Sequence, residues 1–166
     1  PLPDAEAVLR AETIPLFGWE SRCALGDFDV LGFSLPYELC VTNVLTMLDL
    51  AGVPLRSAER GEGHPLVVGG DALADSPEPV APFFDVLIAG DGESPLAALV
   101  ELVRRAKRDR LPRERTLLEA ARTIEGAYVP RFYQPQARDD GATELRPLRP
   151  DVPGAVRRAC VRNLAD

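Results

Sequence analysis

Apolar residues fall into two alternating patterns along the chain. Continuous runs of strand length occur at Val30-Leu31-Gly32-Phe33, at Leu66-Val67-Val68-Gly69-Gly70 and at Val86-Leu87-Ile88-Ala89. Each is bounded by Gly, Pro, Ser or Asp and lacks polar alternation, the mark of a strand covered on both faces. Helical spacing lies between them. Val41, Val44, Leu45 and Leu48 stand at i, i+3, i+4 and i+7, and predict a helix started near Pro36 and Glu38 and stopped by Gly52 and Pro54. Leu96, Leu99, Val100 and Val103 form a second stripe, opened by Ser94 as N-cap with Pro95 behind it. It closes on Arg104-Arg105-Ala106-Lys107-Arg108, cations at the negative end of the helix dipole.

Shorter signals complete the reading. Helices are predicted over 4–12 and 114–124, and a helical turn over 80–84. Residues 14–17 predict an edge strand, because Pro15 cannot donate to a ladder. Residues 127–133 and 143–148 predict a hairpin across Asp139-Asp140-Gly141, set apart from the main sheet, and the Arg- and Pro-rich remainder reads as a linker. Apolar strands alternating with amphipathic helices give an α/β class with a parallel sheet between helical layers.

Length and composition narrow the class further. At 166 residues, with 46% hydrophobic and 27% charged positions, the chain suits one domain, or one domain with an appendage. That size buries about 70% of the unfolded surface without disulfides or a structural metal. No apolar run has membrane-span length, and no secretory signal opens the chain. It starts Pro1-Leu2-Pro3-Asp4 without an initiator methionine, so a piece of a longer polypeptide is expected. Cys23, Cys40 and Cys160 are too widely spaced for a zinc knuckle, a redox pair or a cluster loop, and an odd, sparse count suits the cytoplasm. The single His64 lies between Gly63 and Pro65 and reads as a surface loop residue.

The net charge of −7 is unevenly spread. Residues 1–103 are acidic, residues 104–166 basic. The acidic part repels phosphates and makes a poor nucleic-acid platform. The stretch 104–115 is dense in Arg and Lys but holds no aromatic for base stacking. It reads as a solvated helix end.

In an open parallel sheet, ligands bind beyond the carboxyl ends of the strands. The loops leaving those ends are 34–38, 69–78 and 90–94, and two carry glycines, Gly69-Gly70 and Gly90-Asp91-Gly92-Glu93. Glycine lets backbone approach a large flat ligand closely. Ser34, Gly69, Gly70, Gly90, Asp91, Gly92 and Glu93 are therefore the candidate lining. The Gly90 turn opens like a dinucleotide fingerprint, but Pro95 replaces its third glycine, and Asp91 and Glu93 would face a pyrophosphate. A P-loop lysine, a receiver-domain lysine and a G-x-S-x-G elbow are all missing, so no catalytic residue is assigned. Glu38, Asp71, Asp91 and Glu93 read as solvated carboxylates, or as partners for arginines of another domain, rather than as a metal site.

A family resemblance rests on several stretches together: Asp29-Val30-Leu31-Gly32-Phe33-Ser34-Leu35 with Tyr37-Glu38, Thr42-Asn43-Val44-Leu45, and Leu48 through Leu55. Gly69-Gly70, Pro77-Glu78-Pro79-Val80-Ala81-Pro82-Phe83-Phe84-Asp85, Gly90-Asp91-Gly92-Glu93 and Tyr128-Val129-Pro130-Arg131-Phe132-Tyr133 agree with it. The chain resembles the N-terminal, cobalamin-binding-like domain of radical-SAM proteins of the Fe–S oxidoreductase subgroup. The resemblance implies a Rossmann-like (flavodoxin-like) sheet over 1–125, short of its first strands, and an appendage over 126–166 leading to a radical-SAM domain. It also implies that Ser34, Gly69 and Gly70 line a corrinoid tail pocket and that the Gly90–Glu93 turn faces the corrinoid or the barrel. The D-x-H-x-x-G motif is absent, which leaves cobalamin held without a histidine ligand, or no cobalamin. The cysteine loop for [4Fe–4S] and S-adenosylmethionine is absent too, so those groups are expected only in the barrel.

The expected function is thus an accessory domain that holds a corrinoid or covers the barrel's substrate. The alternative is a docking module that binds another domain or RNA and no cofactor. The expected partner is the protein's own radical-SAM domain, with a homodimer through an exposed sheet edge as a second prospect; nucleic acid and membrane are not expected partners.

Overall fold

The computed structural model describes residues 3–161. Three parallel strands, β1 (Val30–Ser34), β2 (Leu66–Gly70) and β3 (Val86–Ile88), lie side by side in chain order. Leu66, Val67, Val68, Val86, Leu87 and Ile88 are all at most 5% exposed, so both faces of β2 and β3 are covered, as their unbroken apolar runs require. The α-helices are α1 (Pro3–Ala11), α2 (Cys40–Leu50), α3 (Glu93–Asp109) and α4 (Arg113–Thr123). The class is α/β. No helix among the described residues is long and apolar enough to cross a membrane.

Several expectations are corrected. Ala127–Tyr128 does not stay outside the sheet: it forms β4, antiparallel to β3, with Leu87 opposite Tyr128 and Ile88 opposite Ala127. Buried Tyr128, at 4% exposure, belongs in the core, and a two-residue strand is too short for an alternation to show. The separate hairpin consists of β5 (Tyr133–Ala137) and β6 (Thr143–Pro147). Residues 14–17 form no strand; Phe17 makes one isolated bridge to Ala24, and Leu16 N–H donates to the Leu50 carbonyl at 2.9 Å. Ser94 is not the N-cap of α3. The helix starts two residues earlier with Gly92 as cap, and Pro95 falls in the first turn, where no N–H is needed.

The buried face of α3 is also turned from the expected one. Pro95, Leu99, Leu102 and Ala106 are buried, whereas Leu96 and Val100 are 44% and 43% exposed. Apolar residues span a wide arc of this helix, so periodicity identifies a helix without choosing the side that meets the core. α4 is tied to α3 by the ion pair Arg105–Glu119.

β1 is the open edge. Leu66 N–H donates to the Asp29 carbonyl and Leu35 N–H to the Gly70 carbonyl, so 29, 31, 33 and 35 face β2. Backbone groups of Val30, Gly32 and Ser34 therefore point away from the sheet.

A polar hub sits at the opposite, amino end of the strands. Asp85, 1% exposed, accepts from Arg60 Nη1 at 2.8 Å and from Val67 N–H at 2.9 Å, and lies 2.9 Å from Arg113 Nη2. Arg60 spends its other donors on the carbonyls of Pro54, Leu55 and Phe83. Burial pushes its guanidinium pKa down, against the pull of Asp85.

Candidate functional site: the carboxyl edge of the sheet

Parallel register brings the predicted loops to one edge. Ser34 pairs with Gly70 and Gly70 with Ile88, so the chain leaves all three strands side by side, neighbours about 4.8 Å apart. The loops differ in what they do there.

The Ser34 hydroxyl donates to Asp71 Oδ2 at 2.7 Å, and Asp71 Oδ1 accepts from Ala72 N–H at 2.8 Å. The Ser34 bond, then the Ala72 bond, holds the Asp71 carboxyl below the ordinary aspartate range. Asp71 itself sits at φ +84°, ψ −168°, a backbone region that is otherwise nearly reserved for glycine. The side chain holds this conformation by capping the short 3-10 turn Ala72–Asp75. Strain is thus concentrated where the first two strands end.

Neighbouring glycines have opposite surroundings. A Cβ on Gly69 would lie 2.6 Å from Leu35 Cδ1, 2.8 Å from Leu87 Cδ2 and 3.0 Å from Phe84 Cε1, so this glycine makes room for core side chains. At Gly70 a Cβ would meet only the Ile88 carbonyl, at 4.0 Å. Of the pair, Gly70 is the one open to a neighbour.

The Gly90 turn is filled by the chain itself. Gly90, at φ +94°, bridges in parallel to Ala159. Ala159 N–H donates to the Ala89 carbonyl at 2.9 Å, and Asp91 N–H to the Ala159 carbonyl at 3.0 Å. Asp91 Oδ2 then accepts from Val161 N–H at 2.6 Å. Gly92 and Glu93 are exposed beside this crossing.

Two clefts border the edge. One of about 500 Å³ is lined by Asp75, Pro77, Ala89, Tyr128, Tyr133 and Arg158, among others. Its tyrosines stack at 5.2 Å between ring centres. Tyr128 donates to Glu78 at 2.7 Å, and Tyr133 to the Pro153 carbonyl at 2.9 Å. Burial first, then Glu78, pushes the Tyr128 phenol well above the ordinary tyrosine range. A smaller cleft of about 210 Å³ takes in Asp91, Ser94 and Cys160. Sequence reasoning passed over Tyr128, Tyr133 and Arg158 as site residues, because only the return of the chain across the sheet brings them to the edge.

The rim carries both charge and apolar surface. Glu38, Asp71, Asp91 and Glu93 take part in none of the ion pairs among the described residues. Tyr37 and Leu39, in the loop after β1, are 56% and 77% exposed, and Leu96, in the first turn of α3, is 44% exposed. The basic stretch 104–115, by contrast, is largely neutralised. Arg104 pairs with Glu101, Arg105 with Glu119, Lys107 with Asp29, Arg108 with Asp109 and Arg113 with Asp85.

The groups implied by the resemblance can be tested against these residues. A corrinoid with its tail sunk beside Ser34 and Gly69 would need space that Leu35, Leu87 and Phe84 occupy, and the Ser34 hydroxyl is committed to Asp71. His64 accepts from Gly61 N–H at Nδ1 and lines a cleft at the amino end with Asp29 and Lys107. A buried tail with a histidine ligand does not fit. Cys23, Cys40 and Cys160 lie on separate segments, and the described residues hold no group of three or more metal donors, so a cysteine-bound cluster does not fit either.

Comparison with known proteins gives one family. A family model described as radical SAM proteins, N-terminal, matches residues 1–130. The chain belongs to that family. No curated protein and no solved structure matches it significantly.

Proposed function

We propose that this member of the radical SAM N-terminal family is a non-catalytic cover for a radical-SAM barrel in the same polypeptide, with the carboxyl edge of its sheet as the covering face. The observation that carries this reading is the composition of that edge. Exposed Tyr37, Leu39 and Leu96 stand among Glu38, Asp71, Asp91 and Glu93, carboxylates without a cation partner in the described residues. A surface apolar at its centre and charged at its rim suits a protein partner that presents apolar side chains and arginine or lysine. The iron–sulfur cluster and S-adenosylmethionine belong to the barrel in this reading, which supplies the radical chemistry.

The strained Asp71 gives further support. A residue held in a nearly glycine-only conformation by a serine and a backbone N–H aims its carboxylate firmly, as a contact residue requires. The filled space at Gly69 favours covering over holding a corrinoid. RNA docking loses its motive with the pairing of the basic stretch.

The test uses the intact radical-SAM protein, with a benzophenone amino acid at the position of Leu39 or, as control, of Arg110. Irradiation is expected to crosslink the Leu39 position to the barrel and to leave the Arg110 position uncoupled. The reverse result overturns the reading. Titration of the chain with hydroxocobalamin is expected to leave the visible spectrum of the corrinoid unchanged. A stoichiometric shift would put the corrinoid-holding function in its place.

A further inference from the structure

The segment that fills the Gly90 turn has no role in the reading above, yet the fold is shaped around it. Gly90 and Gly126 both have positive φ, +94° and +80°. A Cβ on Gly90 would lie 2.1 Å from the Ala159 carbonyl oxygen, and one on Gly126 would lie 3.1 Å from Ala159 Cβ. Two glycines from separate loops thus clear the space for one alanine, which is 4% exposed. Side chains add to the hold: Arg158 Nη1 donates to Asp75 Oδ2 at 2.5 Å, and Asp91 takes the Val161 N–H.

We propose that 158–161 is an anchoring strand, seated in a glycine-lined slot, which brings the polypeptide out at the carboxyl edge and so delivers the following domain onto that face. Direction carries the argument. The bridge to Gly90 is parallel, so the segment travels with β3 and emerges past its carboxyl end, next to Asp91 and Glu93. A strand tied by backbone bonds on both sides of Ala159 leaves the following chain little freedom at its root, which raises the local concentration of whatever it carries. The inference rests on the covering function and deepens it by naming the device that places the partner.

The experiment reads amide hydrogen exchange in this chain. In the unaltered protein, Asp91, Ala159 and Val161 are expected to exchange at least about tenfold more slowly than unstructured amides. Gly90→Ala and Gly126→Ala are expected to abolish that protection while amides of β1 to β3 stay protected. Gly141→Ala is the control: it has a positive φ of +83° but nothing within 4 Å of a Cβ, so it carries the backbone strain without touching the slot. Should either slot variant fail to fold, Asp91→Ala, at an exposed position, is expected to release Val161 alone. Unprotected Ala159 in the unaltered chain, or equal loss in the Gly141 control, overturns the anchor. Failure of the Leu39 crosslink with Ala159 still protected would instead remove the covering function and leave the anchor standing.

Discussion

Ser34 and Asp71 show how a single hydroxyl governs a carboxylate. The folded Asp71 pKa is depressed, so its contribution to stability is present above the ordinary aspartate value and is lost as pH falls through the depressed one. Ser34→Ala is expected to raise the Asp71 pKa toward about 3.9. Carboxyl chemical shifts followed through an acid titration check this, and an unmoved midpoint contradicts it. Gly69 and Gly70 make a second residue-scale contrast. Gly69→Ala overpacks the core and is expected to cost about 1–3 kcal/mol, whereas Gly70→Ala is expected to stay within about 0.5 kcal/mol. Denaturant midpoints measure both, and equal costs would refute the packing account. Both glycines were legible as loop glycines at a strand end. Their division of labour was not, because it depends on which side chains from β1 and β3 arrive beside them.

The strands were readable because burial on both faces leaves nothing but apolar residues in β2 and β3. Less legible was how elements meet. The stripe on α3 had the right period but the wrong side, since the arc from Pro95 to Val103 is apolar and the packing of α4 decides which part is covered. β4 escaped because two residues carry no pattern. The charged hub was visible only as an odd Asp at the head of an apolar strand. Asp85 holds loop, strand and helix together through Arg60, Val67 and Arg113. Asp85→Asn leaves buried guanidinium charge without its counterion and is expected to destabilise the fold by about 3–5 kcal/mol. Chemical denaturation reads it, and a loss below about 1 kcal/mol would show that the carbonyl partners of the arginines suffice.

Across the whole molecule, two surfaces stand apart. The free backbone groups of Val30, Gly32 and Ser34 make β1 a strand-accepting edge, and no charged residue lies within Val30–Ser34 to blunt it. Self-association of the isolated chain is expected to rise with concentration in light scattering, and a monomer at every concentration would contradict pairing through β1. The carboxyl edge is the other surface, and the composition of its rim distinguishes it from the amino end, where Asp85, Arg60 and Arg113 satisfy one another. The family match covers residues 1–130, whereas the strand that fills the Gly90 turn comes from beyond them. Neither the match nor the spacing of apolar residues could have revealed that crossing.

Hydrogen exchange compared between this chain alone and the same residues within the intact radical-SAM protein tests the covering face most directly. Added protection is expected at 37–39, 70–75 and 90–94, the loops of the carboxyl edge. Protection gained instead at 27–29, 62–64 and 110–113, around the cleft at the amino end, would place the partner on the opposite side and contradict the account.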